Sequence, residues 1–268
     1  MLFDVRGKRK RVIQVIYVLL ALVMVLSLFV IGLPGGINPF TSNSPNADIA
    51  KANVERAQKL ETKSSSNPNN LQLQQELISA RIAAGNSLLD ENTGAPTPEA
   101  TQQYDLAASA WDKYVKASNG NPDTGVAAQL APVMQSIAGG TLAEFRSNMA
   151  TAIEAQTFVT DEQVKQFESK KSTINPAASL TSLAQLQYVS QDYAGAEKTG
   201  KKALAFATLP SLKKQIQTQL DADKKQAKQI GKQIKAINKQ ASKTKKGQAL
   251  EDPFGSLGSG TAGSTTSP

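Results

Sequence analysis

The side chains that could do chemistry in this chain are few, because the sequence contains neither histidine nor cysteine. This absence excludes Ser-His-Asp and Cys-His nucleophile pairs, as well as typical structural zinc sites, iron–sulfur clusters and His-ligated haem. Two adjacent carboxylate pairs remain, at Asp90-Glu91 and at Asp161-Glu162. Both pairs stand at expected loops or helix starts, where a carboxylate favours the helix dipole or solvation rather than acid–base catalysis.

Other signals of a chemical site are missing as well. Asp90, Glu91 and Asn92 offer oxygen ligands of the kind that Ca²⁺ takes, but without EF-hand spacing. The sequence contains no Gly-x-Ser-x-Gly element. Aromatic residues make up only 5% of the chain, which is few for base stacking. The sequence therefore predicts a protein that is not an enzyme and that has no cofactor, no metal site and no nucleic-acid partner.

The formal net charge of +8 over 268 residues lies at the two ends of the chain. Residues 1–11 carry a net +4 and residues 210–247 a net +9, whereas residues 12–209 carry a net −3 and residues 248–268 a net −2. A basic surface attracts anionic partners, so these two end segments must be considered separately.

The basic start is followed by an apolar run, residues 12–33, of 22 residues without a charge. A helix of that length crosses a bilayer, and the run is longer than the apolar region of a cleaved signal peptide. The sequence therefore predicts an uncleaved transmembrane anchor with the lipid bilayer as a partner. Because residues 1–11 are basic and residues 34–46 are not, the positive-inside rule predicts a single-pass protein of the cytoplasmic membrane, with its N-terminus inside and its bulk outside. Because residues 34–46 contain several Gly, Pro and Ser residues, we predict that they form a flexible tether.

Residues 47–209 favour helices, since Ala, Gln, Leu and Lys dominate and no alternating strand pattern appears. Pro and Gly cluster between the helical segments, which are joined by short turns. The predicted helices are 47–63, 68–89, 98–118, 124–138, 141–157, 161–171, 177–190, 192–207 and 210–246.

Residues 177–210 carry the strongest repeat signal. Its markers are Leu180, Leu183, Ala184, Asp192, Tyr193, Ala196, Ala203 and Pro210. Small residues in two consecutive helices, an Asp-Tyr turn and a closing Pro resemble the 34-residue tetratricopeptide repeat (TPR). Tyr188, one place after the expected aromatic, and Gly200, where a bulky residue is usual, depart from the family pattern.

Two weaker copies precede this unit. A shift of 53 residues overlays Leu130-Ala131, Gly139, Ala143 and Ala150 on the markers from Leu183 to Ala203, and an earlier copy is split by an insert at residues 87–103. A generic Ala-rich bundle is the alternative, but three tandem units favour a solenoid, which needs about three repeats to bury a continuous core. The predicted fold class is therefore all-α, with an N-terminal transmembrane helix followed by a TPR-like α-solenoid of antiparallel helix pairs and a long C-terminal capping helix.

The resemblance to TPR units implies a protein-binding groove lined by the first helix of each pair. In the clearest unit the implied groove residues are Thr181, Gln185, Tyr188 and Val189. Tyr is a common contact anchor; the alternative is that Tyr188 packs against the 210–246 helix and contacts no partner.

The segment 210–246 predicts a basic helix with a narrow apolar stripe. Its lysines include Lys213, Lys214, Lys224, Lys225, Lys228, Lys232, Lys235 and Lys239. Covering the open end of the solenoid is one role for this helix. Contact with anionic lipid or other polyanions, and pairing with a coiled-coil partner, are the alternatives. Residues 247–268 are rich in Gly, Ser and Thr and predict a disordered tail.

In layout the chain resembles single-pass TPR proteins of bacterial envelopes, such as the YfgM-like proteins, which work beside the export channel and its chaperones. The resemblance implies a membrane-anchored, extracytoplasmic protein-interaction module that assists exported proteins or an envelope complex, with other membrane or envelope proteins as partners. The alternative function is a structural envelope scaffold whose basic C-terminal helix binds anionic lipid or wall polymer.

Overall fold

Eight α-helices make up most of residues 45–241, the part of the chain that the computed structural model describes. They are α1 (Pro45–Ser66), α2 (Leu71–Asn86), α3 (Pro98–Ala117), α4 (Thr124–Ser136), α5 (Leu142–Glu168), α6 (Ala177–Val189), α7 (Tyr193–Phe206) and α8 (Pro210–Ala241). Within these residues the β-type pairing is a single isolated bridge between Leu89 and Pro96. The described domain is therefore all-helical, as the sequence predicts.

Polar residues fix where several helices begin. The side chains of Thr97 and Asp192 accept hydrogen bonds from the backbone N–H groups of Ala100 and Gly195, at the starts of α3 and α7. At the start of α5, Thr141 and Glu144 exchange side-chain and backbone hydrogen bonds in a capping box. Such caps satisfy N–H groups that have no partner within the helix.

The helices pair in the order of the chain. α2 packs on α3, α4 on α5, and α6 on α7. The first hairpin contacts the second through α2 and α3 with α4, and the second contacts the third through α5 with α6. α8 then packs on α6 and α7. Because the contacts between hairpins run mainly between successive ones, the arrangement is helical-repeat-like.

The first helices of the three hairpins keep a constant period. Leu77, Leu130 and Leu183 are buried in α2, α4 and α6, and each lies 53 residues after the last. This confirms the 53-residue shift for the first helices and extends it to the first hairpin.

The second helices share a buried pattern at i, i+3, i+4 and i+7. Its members are Ala100, Gln103, Tyr104 and Ala107 in α3, then Phe145, Asn148, Met149 and Ala152 in α5, then Ala196, Thr199, Gly200 and Ala203 in α7. The predicted overlay of Ala143 and Ala150 on this pattern is wrong, since both are exposed. The turn between α4 and α5 is two residues longer than the turn between α6 and α7, which moves the match to residues 145–152.

One further helix prediction is wrong. Segments 141–157 and 161–171 form the single helix α5, of 27 residues. No Gly or Pro separates them. Thr160 at the junction is fully buried, and its Oγ1 lies 2.8 Å from the Ser179 hydroxyl of α6, so this stretch is held in the interface between two hairpins.

The core consists of two apolar clusters. The larger cluster draws mainly on α1 to α5, and the smaller one joins α6, α7 and α8 through residues such as Leu180, Ala203 and Leu220. Ile230, in the second half of α8, belongs to the larger cluster, and Ile234 and Ile237 pack against it. α8 therefore contacts both clusters.

The predicted fold class is contradicted in its transmembrane part. Across residues 45–241, no helix is both long enough and apolar enough to cross a membrane. The longest helices, α5 and α8, carry charged residues throughout their length. The apolar run at 12–33, the basic start and the tether up to residue 44 lie outside the described residues, as does the tail from residue 242 onward.

Candidate functional site

The four predicted groove residues all lie in α6, but the structure exposes them unequally. Thr181, Gln185 and Val189 are half-buried, and Val189 packs against the larger apolar cluster. The Thr181 hydroxyl donates to the Ala177 carbonyl within the helix. These residues share one side of α6 and offer little free surface.

Tyr188 is a core residue of the smaller cluster. It is 4% exposed, and its ring meets that of Tyr193 edge-on with the centroids 5.9 Å apart. Burial raises the pKa of its hydroxyl. This placement matches the alternative that Tyr188 packs against the C-terminal helix, because Leu220 of α8 belongs to the same cluster.

The lysines of α8 share one side of that helix. At 100° per residue, all eight fall within an arc of about 120° that contains none of the buried residues Ile216, Leu220 and Ile230. Seven are exposed, and the half-buried eighth, Lys224, forms a 2.7 Å ion pair with Glu197 of α7. The predicted basic surface is therefore largely open to solvent.

A cavity of about 750 Å³ lies elsewhere, between α1, α2 and α3. We call it the α1–α3 groove. Its residues from α3 run from Leu106 through Ser109, Lys113 and Lys116 to Ala117, at the spacing of one helix side. Ser109 and both lysines are exposed, so the groove opens to solvent, while Leu77 of α2 supplies buried apolar surface.

A buried arginine joins the three helices of this groove. Arg81 of α2 is 3% exposed; its guanidinium donates to Gln103 Oε1 of α3 at 2.7 Å and forms an ion pair with Glu61 of α1. Since a buried charge without a partner is costly, Glu61 and Gln103 hold Arg81 in place and fix α1 against the first hairpin.

Gln74 also lines the α1–α3 groove, and its side-chain oxygen receives no hydrogen bond from the described residues. Its side chain is 5% exposed, and its amide nitrogen donates to the Pro68 carbonyl. Its Oε1 is buried and accepts no hydrogen bond from any residue in the described range. A buried polar atom without a partner is unusual in a folded protein and fits a ligand donor that is supplied from outside.

A second cavity, of about 650 Å³, lies beside the insert between α2 and α3. Burial and the nearby Glu144 raise the pKa of Asp105 there, but the Glu144 carboxylate already accepts from the Thr141 N–H of the capping box. In the insert itself, Asp90 accepts hydrogen bonds from Asn92 and Thr93, and the Thr93 bonds lower its pKa. The Glu144 and Asp90 carboxylates therefore stabilise local backbone.

No group of three or more metal-ligating side chains occurs between residues 45 and 241. Comparisons with protein-family models, with curated proteins and with solved structures give no match for this chain.

Sequence reasoning missed the α1–α3 groove. Its available signal was the polar pair Gln74 and Arg81, which lies on the same side of α2 as the buried Leu77. Arg81 belongs to an internal network with Glu61 and Gln103, whereas Gln74 Oε1 has no hydrogen-bond partner among the described residues.

Proposed function

We propose that this protein is a TPR-like helical-repeat module that binds a segment of another protein in the α1–α3 groove, without chemical turnover. The observation that carries the proposal is the buried, unused Gln74 Oε1 in a solvent-open groove that also contains apolar surface from Leu77 and Leu106. Binding grooves combine apolar area with a few placed polar groups. The lack of histidine and cysteine fits a role that needs no catalysis.

The likeness to TPR proteins rests on helix hairpins that stack in sequence. Residues 177–210 keep the 34-residue length, whereas the first helices of the three hairpins are 53 residues apart. The longer period has local causes, namely the 11-residue connection between α2 and α3 and the 27-residue length of α5. The first two units are therefore longer than a TPR in sequence, and only the last keeps its length.

The groove proposal predicts that Ser109→Trp lowers peptide affinity at least tenfold. Ser109 is exposed and lines the groove, so the indole fills space that a ligand requires without disturbing the core. Peptides selected from a random phage library against the full chain serve as probes, and fluorescence anisotropy gives their dissociation constants.

Ser147→Trp is the matched control, because Ser147 is an exposed helical serine of α5 that does not line the groove. It should leave the affinities unchanged. Equal affinities for the wild type and Ser109→Trp, or failure of any peptide to bind, would show that the groove is not a peptide site.

A second candidate function is an envelope scaffold that binds anionic lipid or wall polymer through α8, and the one-sided lysines favour it. A triple substitution to glutamine should weaken binding to phosphatidylglycerol vesicles about a hundredfold, since each surface lysine contributes about 1 kcal/mol. It replaces Lys228, Lys232 and Lys235. Vesicle sedimentation of the full chain at low salt measures this.

The matched control replaces three exposed lysines of α7, namely Lys198, Lys201 and Lys202, by glutamine. It removes the same charge and should have a much smaller effect. If the two triple variants bind alike, general charge attraction explains the binding and the scaffold function through α8 is wrong.

A further inference from the structure

The charges that line the α1–α3 groove do not cancel, because the Glu61 carboxylate is already paired with Arg81. Glu61 pairs with Arg81, which neutralises both groups. Lys113 and Lys116 remain, and neither ammonium group forms an ion pair with any residue in the described range. The groove therefore presents two uncompensated positive charges.

The two lysines and the unused acceptor lie at the same end of the groove. α2 and α3 run antiparallel, as two cross-links show: Gln75 donates to the Tyr114 hydroxyl at 2.6 Å, and Arg81 donates to Gln103 at 2.7 Å. Gln74 is next to Gln75, and Tyr114 lies between Lys113 and Lys116 in sequence. One end of the groove thus combines a hydrogen-bond acceptor with two cations.

The length of the groove suits a short extended segment. The lining residues of α3 run from Leu106 to Ala117, a rise of about 16 Å at 1.5 Å per residue. An extended chain covers that distance with about five residues. Apolar side chains from such a segment can pack on Leu77 and Leu106, while its backbone N–H groups are donors of the kind that Gln74 Oε1 lacks.

We propose that the α1–α3 groove selects acidic segments of partner proteins: a backbone N–H donates to Gln74 Oε1, and an Asp or Glu carboxylate pairs with Lys113 and Lys116. This inference rests on the proposed function and adds the chemistry of the ligand. Charge complementarity carries it, because the ion pair between Arg81 and Glu61 leaves the groove without a negative group to balance the two lysines.

The test uses the full chain and three fluorescein-labelled heptapeptide pools, random except at two positions fixed as Glu, Gln or Lys. Anisotropy at 50 mM salt should show the Glu pool bound at least tenfold more tightly than the Gln pool, and the Lys pool bound least. The double substitution Lys113→Gln and Lys116→Gln should abolish this preference. Lys198→Gln with Lys202→Gln, which removes two exposed lysines of α7, should leave it intact.

Equal binding of the Glu and Gln pools, with Ser109→Trp still reducing both, would overturn the acidic preference and leave the peptide-binding function standing. Failure of all pools and of the phage-selected peptides would remove both. The chain's own acidic residues Glu251 and Asp252 are a competing occupant. If their joint replacement by glutamine raises the affinity for the Glu pool tenfold or more, the groove serves the chain itself and the partner proposal is wrong.

Discussion

Replacement of Trp111 by Ala should lower the free energy of unfolding by about 3–5 kcal/mol, the cost of truncating a buried Trp. Trp111 is fully buried in α3 and lies edge-on to Phe158 of α5, with the ring centroids 6.0 Å apart. Its indole N–H donates to Glu154 of α5 at 2.8 Å. The side chain therefore joins the first hairpin to the second, and its loss leaves a cavity between them.

Urea unfolding followed by circular dichroism measures this change. Trp111→Phe is the control, since it keeps an aromatic ring beside Phe158, loses the hydrogen bond to the exposed Glu154 and leaves a smaller cavity than alanine does. It should cost clearly less than Trp111→Ala. If Trp111→Ala unfolds within about 1 kcal/mol of the wild type, the packing between the two hairpins does not stabilise the domain as described.

Replacement of Asp223 by Leu should instead stabilise the protein, by about 1–3 kcal/mol at pH 7, the typical cost of a buried unpaired polar group. Asp223 stands in the apolar stripe of α8 between Leu220 and Ala227 and is 3% exposed. Gln219 donates to its Oδ1 at 2.8 Å, but no residue in the described range donates to its Oδ2. A leucine there extends the apolar contact with α6 and α7.

The gain from Asp223→Leu should depend on pH. Burial raises the pKa of Asp223 above its ordinary value of 3.8, whereas the hydrogen bond from Gln219 opposes this shift. The folded state therefore holds the proton more tightly than the unfolded state, and the wild type loses stability as the pH rises from 3.8 through the raised pKa. The difference in unfolding free energy between the Asp223→Leu variant and the wild type should accordingly grow between about pH 3.5 and pH 7 in urea titrations.

Asp223→Asn is the control for charge, since it keeps the shape and cannot ionise. Its stability difference from Asp223→Leu should stay constant over the same pH range. A wild type that is more stable than Asp223→Leu at pH 7 would mean that the carboxylate has a stabilising partner and that its burial is not a net cost.

Most helix positions could be predicted because caps and breakers are local signals. Segment 98–118 and helix α3 agree within one residue, since Thr97 and Pro98 mark its start. The division of α5 failed because Asp161-Glu162 was placed at an expected helix start, whereas burial against the next hairpin keeps the helix continuous there. Tertiary packing, which a local pattern does not contain, determined this case.

The candidate site was less predictable. The 53-residue period of Leu130 and Leu183 was visible, but the register of the second helices depends on turn length, which the overlay held constant. The α1–α3 groove depends on which sides of three helices meet. Gln74 and Arg81 share one side of α2, but no spacing in sequence relates them to Lys113, and only the packing of α1, α2 and α3 brings the three together.

The lysine-bearing side of α8 also limits how the repeat array can grow. The inner helices bury small and aliphatic residues against their neighbours, whereas the outward surface of α8 carries lysine and glutamine. A further hairpin packed on this side would bury lysine and glutamine without partners. A tandem copy of residues 177–209 is therefore better accommodated between Leu209 and Pro210, where it stacks on a hairpin and leaves the lysines of α8 in solvent.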